Sequence, residues 1–308
     1  MNLKYNGIDI TDNVNIIDAS VTDRCGGKAD SMDITFSDVK KLWRKWQPIK
    51  GDILEVSGNG FSSGAMYIDE FGVFNGEYNI KSKSIPLNSR TRKSNIWENI
   101  RFKQIMSQLA AEIGLQINTY GIEDYLYDRV DMLNKTNLEF MSERCILEGY
   151  SLKITNNKAV IYDEKVLENY DPVKEITEEL LIGSYRFKTI SAGIYSSCLV
   201  EHFSNNNRTI KYKFIPRNPP IGDILKFNLR VNNIGEAERY ARNLLRYANK
   251  METTGTFNIK QDSTLAAGNT INIKDMGSFS GKYFIDFINH SFTNGKSYLK
   301  VRKILEGY

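Results

Sequence analysis

One stretch of the chain occurs twice. Residues 51–71, GDILEVSGNGFSSGAMYIDEF, align without a gap on residues 268–288, GNTINIKDMGSFSGKYFIDFI, each position lying 217 residues before its counterpart. The identical pairs are Gly51/Gly268, Gly60/Gly277, Ser63/Ser280, Gly64/Gly281, Ile68/Ile285 and Asp69/Asp286. Leu54 and Val56 match Ile271 and Ile273 as buried alternates, and Tyr67 matches Phe284. After two inserted residues Asn75-Gly76 matches Asn294-Gly295, followed by Ile80/Leu299 and Ile85/Ile304. Each copy therefore reads as a strand, a glycine-rich turn, a strand, an Asn-Gly hairpin turn and a third strand. Glycine suits such turns because it alone enters positive φ without steric cost. A duplication on this scale limits the fold to two related β-barrel-like domains, whatever lies between them.

What lies between has a different character. Phe102, Ile105, Met106, Leu109 and Ile113 recur at helical spacing and predict an amphipathic helix ending at Gly114. Thr136-Asn137-Leu138-Glu139 predicts a capping box opening a second helix that runs to Gly149. Strands at 151–155 and 158–162, turning at Asn156-Asn157, complete a small α+β module. In the first copy Met32, Ile34 and Phe36 alternate with polar residues as a half-buried strand, and 38–45 reads as a short helix. The acidic stretch 164–179 reads as a linker or surface crossing, Asn205-Asn206-Asn207 as a loop, and 236–250 as a helix. Final strands are expected at 256–260, 270–274, 282–290 and 298–304. The fold class is thus α+β and β-rich, with domains expected at 1–94, 95–165 and 166–308.

Composition removes several function classes. Forty-one basic against 37 acidic residues leave a net charge of +4, too balanced for a polyanion-binding protein. The local exception, Lys81 to Lys93, holds Lys81, Lys83, Arg90, Arg92 and Lys93 with no acid, and reads as a solvated or partner-facing basic edge. No specific nucleic acid is expected. Cys25, Cys145 and Cys198 lack metal-ligand spacing, and His202 and His290 are the only histidines, so neither a zinc site nor any other cofactor is expected. No run approaches the roughly 20 apolar residues of a membrane span, and the N-terminus lacks a signal segment. Membrane insertion is not expected.

Several motifs, taken in order, resemble the phage late-control D family. They are Asn6-Gly-Ile-Asp-Ile-Thr-Asp12, Trp46-Gln-Pro48 before Gly51-Asp52, and Gly64 before the Tyr67-Ile68-Asp69-Glu70 strand. Ala111-Glu-Ile-Gly114-Leu115, Thr136-Asn-Leu-Glu-Phe140, Glu148-Gly149-Tyr150, Ala267-Gly268 and Gly281-Lys-Tyr283 continue the series. Members of that family form the baseplate hub of contractile tails and are similar to the N-terminal part of the type VI secretion spike protein. The resemblance implies two tube-protein-like barrels per chain and a homotrimer whose six barrels adapt a hexameric tail tube to a trimeric spike. It implies the tail tube protein, the spike or tip protein and baseplate wedge proteins as partners, with the tape measure protein as a further candidate. The expected location is a virion or tail-like particle, assembled in the bacterial host cytoplasm. The chain stops at Tyr308, so cell-wall cutting and piercing are expected of separate subunits.

Catalysis is not expected. Asp69 and Asp286 could be mistaken for a carboxylate pair, but they are duplicated with their strand, which suits a turn or barrel-seam hydrogen bond. His202 and His290 have no recognisable nucleophile setting. Gly51, Gly64, Gly268 and Gly281 are read as structural turn positions, and Trp43 and Trp46 as core packing or a partner contact. A tail-associated cell-wall hydrolase and a receptor- or carbohydrate-binding tail-tip protein are the competing classes.

Overall fold

The structure is a computed structural model that describes residues 1–58, 60–203 and 209–308, so the turn at Asn59 and the Asn205–Asn207 loop lie outside the described residues. The chain begins with β1 (Asn2–Tyr5), β2 (Ile8–Asp9), β3 (Asn15–Arg24), β4 (Ser31–Ser37) and a short helix α1 (Leu42–Trp46). Next come β5 (Ile53–Gly58), β6 (Phe61–Ser62), β7 (Met66–Phe74) and β8 (Glu77–Lys83). Helix α1 starts later than its sequence pattern suggests. Lys41 takes the left-handed conformation, and the Asp38 carboxylate accepts the Trp43 amide at 2.9 Å. Alternation does its expected work: Met32, Ile34 and Phe36 join Leu54, Val56, Ile68 and Ile80 in one core.

The middle of the chain holds β9 (Lys93–Arg101), α2 (Phe102–Glu112), β10 (Gln116–Tyr120), β11 (Leu126–Lys135), α3 (Asn137–Glu148), β12 (Tyr150–Thr155) and β13 (Lys158–Asp163). Strands β9 and β11 pair as a ribbon absent from the sequence reading, and β10, β13 and β12 form a three-stranded sheet. Both helices press their apolar faces into one core containing Phe102, Ile105, Met141, Cys145, Leu152 and Ile161. At the start of α3 the Thr136 hydroxyl accepts the Glu139 amide, and the Glu139 carboxylate accepts the Thr136 amide. Thr136→Ala is expected to cost about 1 kcal/mol. A fall of about 1–2 degrees in the thermal midpoint is the checkable readout.

The last part holds α4 (Glu164–Asn169), β14 (Lys174–Ile176), β15 (Arg186–Thr189), β16 (Tyr195–Phe203), β17 (Thr209–Phe214), β18 (Asp223–Asn228) and α5 (Ile234–Asn249). It ends with β19 (Thr253–Lys260), β20 (Thr270–Ile273), β21 (Gly281–Ser291) and β22 (Lys296–Lys303). Strands β17, β16 and β18 form a separate sheet against α5, with a core of Cys198, Val200, Ala237, Tyr240, Ala241 and Leu245. This unit is inserted between β15 and β19, where the first copy passes directly from β3 to β4. It leans on α3: Arg239 reaches Glu148, and Arg144 lies over the rings of Tyr127 and Tyr240.

The two copies fold alike, residue for residue. Leu54 faces Met66 across β5–β7 and Ile271 faces Tyr283 across β20–β21. Phe71 faces Ile80 as Ile288 faces Leu299. A bulge interrupts each hairpin at the same place, between Ile68 and Glu70 and between Ile285 and Phe287. The pairing extends beyond the aligned sequence, because β4 lies beside β8 as β19 lies beside β22, and β3 beside β4 as β15 beside β19.

The two barrel-like sheets are not closed among the described residues. One 14-stranded sheet runs β15-β19-β22-β21-β3-β4-β8-β7-β5-β1-β2, with β6, β14 and β20 off that path. The reason is edge competition. Strand β3 has one edge on β4, and its other edge is taken by β21 of the second copy rather than by a strand of its own copy. Each copy contributes one half of a shared sheet.

Candidate assembly surface

The duplicated residues serve one local device. The Gly51 amide donates to the Ile68 carbonyl at 2.8 Å, and the Gly268 amide donates to Ile285 at 2.9 Å. The returning bonds match too, from Ile68 to Asp52 and from Ile285 to Asn269. Both glycines have φ near +100° (94° and 101°), where a side chain would be strained. Gly64 meets the central module, since a Cβ there would lie 2.6 Å from Asn156. Gly281, at φ 129°, opens β21.

Asp69 and Asp286 occupy the two bulges, each bound to the cation opposite. Asp69 pairs with Lys83 at 2.6 Å and also with Arg90, while Asp286 accepts from Arg302 Nε at 3.1 Å. Lys83 and Arg302 are themselves equivalent in the repeat, facing Tyr67 and Phe284. The same pair sits in two environments. Hydrogen bonding to Lys83 holds Asp69 below the usual carboxylate range, whereas burial pushes Asp286 above it despite Arg302.

Around Arg302 a charged cluster is sealed inside the molecule. Arg302 is fully buried and binds Glu168 at 2.6 Å and Glu164 at 3.1 Å besides Asp286. Arg246 of α5 binds Glu168 at 2.5 Å and Lys250 binds Glu164 at 3.0 Å. The stretch 164–179 therefore does not begin as a surface linker. Its first turn is helix α4, whose i, i+4 carboxylates face the second copy's sheet. Burial alone would raise Glu164, but Lys250 and Arg302 hold it down to about 2.

Other sequence candidates have local explanations. All five cations of the run from Lys81 to Lys93 are paired within the chain: Lys81 with Glu70, Lys83 and Arg90 with Asp69, Arg92 with Glu139, and Lys93 with Glu112. The run is locally basic, yet the fold supplies its acids. His290 is buried; its Nε2 donates to the Leu265 carbonyl at 3.2 Å, leaving Nδ1 to accept from Ser297 Oγ at 2.9 Å. Ser297 is itself fully buried, so this contact is core packing with satisfied polar atoms. His202 is half-buried on β16. Trp43 is 1% exposed among Tyr5, Phe36 and Tyr78, while Trp46 is 41% exposed with its ring edge against Trp43. Among the described residues no cluster of three or more His, Cys, Asp or Glu side chains could hold a metal ion, and no helix is long and apolar enough to cross a membrane.

What remains as a surface is the long sheet itself. One face carries the cores. The other is polar across both copies, with Asp33, Thr35, Asn79, Thr22, Asn289, Asn258 and Lys300 on neighbouring strands. Asn79 donates to Asp33 at 2.7 Å, and Asn289 donates to Thr22 at 2.8 Å across the junction of the copies. At the ends of this face, β15 and the outer half of β7 each have one strand edge without a partner among the described residues.

The double sheet with an intervening α+β module is a fold that solved phage tail proteins share. No family model and no curated sequence matches the chain. Among solved structures it is similar to a tail protein from Neisseria meningitidis MC58, at 12% identity and a TM-score of 0.77, covering 98% of this chain and 95% of that one. It is similar to the 43 kDa tail protein of prophage MuSo2 from Shewanella oneidensis, at 14% identity and a TM-score of 0.73, covering 98% and 97%. A type VI secretion component of E. coli, described as structurally similar to the T4 tail proteins gp27 and gp5, matches at 15% identity and a TM-score of 0.63, covering 99% and 78%.

Proposed function

We propose that this protein is a non-enzymatic baseplate hub of a contractile tail or tail-like particle, of the late-control D type. In this reading it acts as a homotrimer. Each chain contributes two curled sheets, and three chains present six in a ring. Such a ring has threefold symmetry for a spike and near-sixfold symmetry for a hexameric tube. The observation that carries the reading is the residue-level equivalence of the two copies, down to the bulge at Asp69 and Asp286. A subunit with a single function in a single symmetry has no need to keep two such sheets alike.

The tail tube protein would dock on one rim of the ring and the spike or tip protein on the other. The α+β module and the β16–β18 unit would face baseplate wedge proteins, with Trp46 available for such a contact. The units 1–94, 95–165 and 166–308 are the working parts of this scheme. The paired bulge carboxylates argue for structure over cell-wall hydrolysis, since each is neutralised by its own cation.

The test is to mix the purified chain with the tail tube protein of the same particle and image the product. Caps at one end of the tubes are expected. Labelling along the tube length would make the chain a tube subunit, and no association would contradict the hub reading.

A further inference from the structure

The junction inside the chain contains the instructions for the junction between chains. Strand β21 of the second copy pairs antiparallel with β3 of the first: Phe287 faces Arg24, Ile288 faces Asp23, Asn289 faces Thr22, His290 faces Val21 and Ser291 faces Ser20. By the repeat, the counterpart of β21 in the first copy is β7, with Glu70 to Phe74 standing for Phe287 to Ser291. The counterpart of β3 in the second copy is β15. Val21 faces Met32 and Phe187 faces Gly255, and Met32 and Gly255 hold the same position opposite Ser82 and Val301. Among the described residues β15 and the outer half of β7 each keep one edge without a partner strand, as do the short strands β2 and β14 elsewhere in the sheet.

We propose that β7 of one protomer pairs antiparallel with β15 of the next in the register of the internal junction. Glu70 then faces Ile190, Phe71 faces Thr189, Gly72 faces Lys188, Val73 faces Phe187 and Phe74 faces Arg186. This inference rests on the trimeric hub reading and specifies its subunit contact. Burial supports it. Ile288 is 0% and His290 is 1% exposed at the internal junction, whereas their counterparts Phe71 and Val73 are 37% and 48% exposed, and Phe74 is 74% exposed. An open strand edge bearing exposed apolar residues is a pairing template.

The core faces also match. Phe71 stacks on Tyr78, and Phe187 packs with Phe257 and Tyr283, so joining the strands makes the two cores continuous. On the polar face Arg186 comes beside the Phe74 ring, a cation over an aromatic as Arg24 lies over Phe287 within the chain. The two edges differ, so the contact is head-to-tail. Alternating with the internal junction, it propagates around a ring rather than stopping at a dimer.

Two sets of variants test this. A Cβ at Gly72 meets nothing within 4 Å, and Cys25, Cys145 and Cys198 are buried, so Gly72→Cys with Lys188→Cys can report the contact. Mild oxidation is expected to link this double variant into a covalent trimer on a non-reducing gel, while Gly72→Cys with Arg186→Cys, two residues out of register, stays unlinked. Val73→Glu is expected to leave the monomer's thermal midpoint unchanged and abolish the trimer. A native trimer in which Gly72 and Lys188 do not link, in which the shifted pair links equally, or which survives Val73→Glu overturns this strand pairing and leaves the hub reading standing. A wild-type chain that is monomeric both alone and with tube protein overturns the hub reading, and this pairing with it.

Discussion

Arg302→Met is expected to destabilise the fold by about 3–5 kcal/mol, because it removes the shared cation from Glu164, Glu168 and Asp286 inside the molecule. Arg246 and Lys250 still serve Glu168 and Glu164, but Asp286 Oδ1 loses its one ion-pair partner among the described residues, where Oδ2 already has no hydrogen-bond partner. The repeat supplies an internal control. Lys83→Met breaks the equivalent pair with Asp69 where Lys83 is half exposed and Arg90 remains, and is expected to cost no more than about 1 kcal/mol. Urea midpoints of the two variants, compared with wild type, decide the matter. Equal losses would mean that burial is not what gives the Arg302 cluster its weight.

Acid is expected to unfold the protein through the same cluster. Glu164 is held down to about 2 from its usual 4.5, so its contribution is fully present above pH 4.5 and is lost as pH falls through 2. The shift corresponds to about 3 kcal/mol across that window. Asp30 has the opposite sign. Burial, reinforced by the nearby Asp23 carboxylate, pushes it up to about 7. Its contribution is therefore complete below its ordinary value of 3.8 and lost as pH rises through 7. The stability profile should fall on both sides, with Glu164→Gln flattening the acid limb and Asp30→Asn the neutral limb. An acid limb unchanged in Glu164→Gln would contradict the assignment.

The repeat was legible because its identities fall where backbone geometry leaves little choice. Gly51, Gly64, Gly268 and Gly281 all sit at positive φ, and Asp69 and Asp286 hold bulges. The helices from Phe102 and Thr136 were legible from periodicity and capping for the same local reasons. What the sequence left open was non-local. Whether a curled sheet closes depends on which strand takes the second edge of β3, and nothing in the alternation of β21 distinguishes it from β7. The β16–β18 unit was read together with the second copy because its strands alternate like any others, although among the described residues they form a sheet of their own. The acidic stretch from Glu164 read as a surface because its partner, Arg302, lies 138 residues away. The basic run is a solvated edge as its sequence suggests, but its ion-pair acids come from β7, α2 and α3 and so lay beyond a local reading.

The hub reading turns on stoichiometry and symmetry, and one sample can report both. Light scattering on the purified protein, with image averages of the same material, is expected to give about 106 kDa, three times the 35.3 kDa chain, and a ring of six similar lobes. A particle of any other mass that persists in the presence of tube protein, or a trimer whose averages show three lobes instead of six, would contradict it.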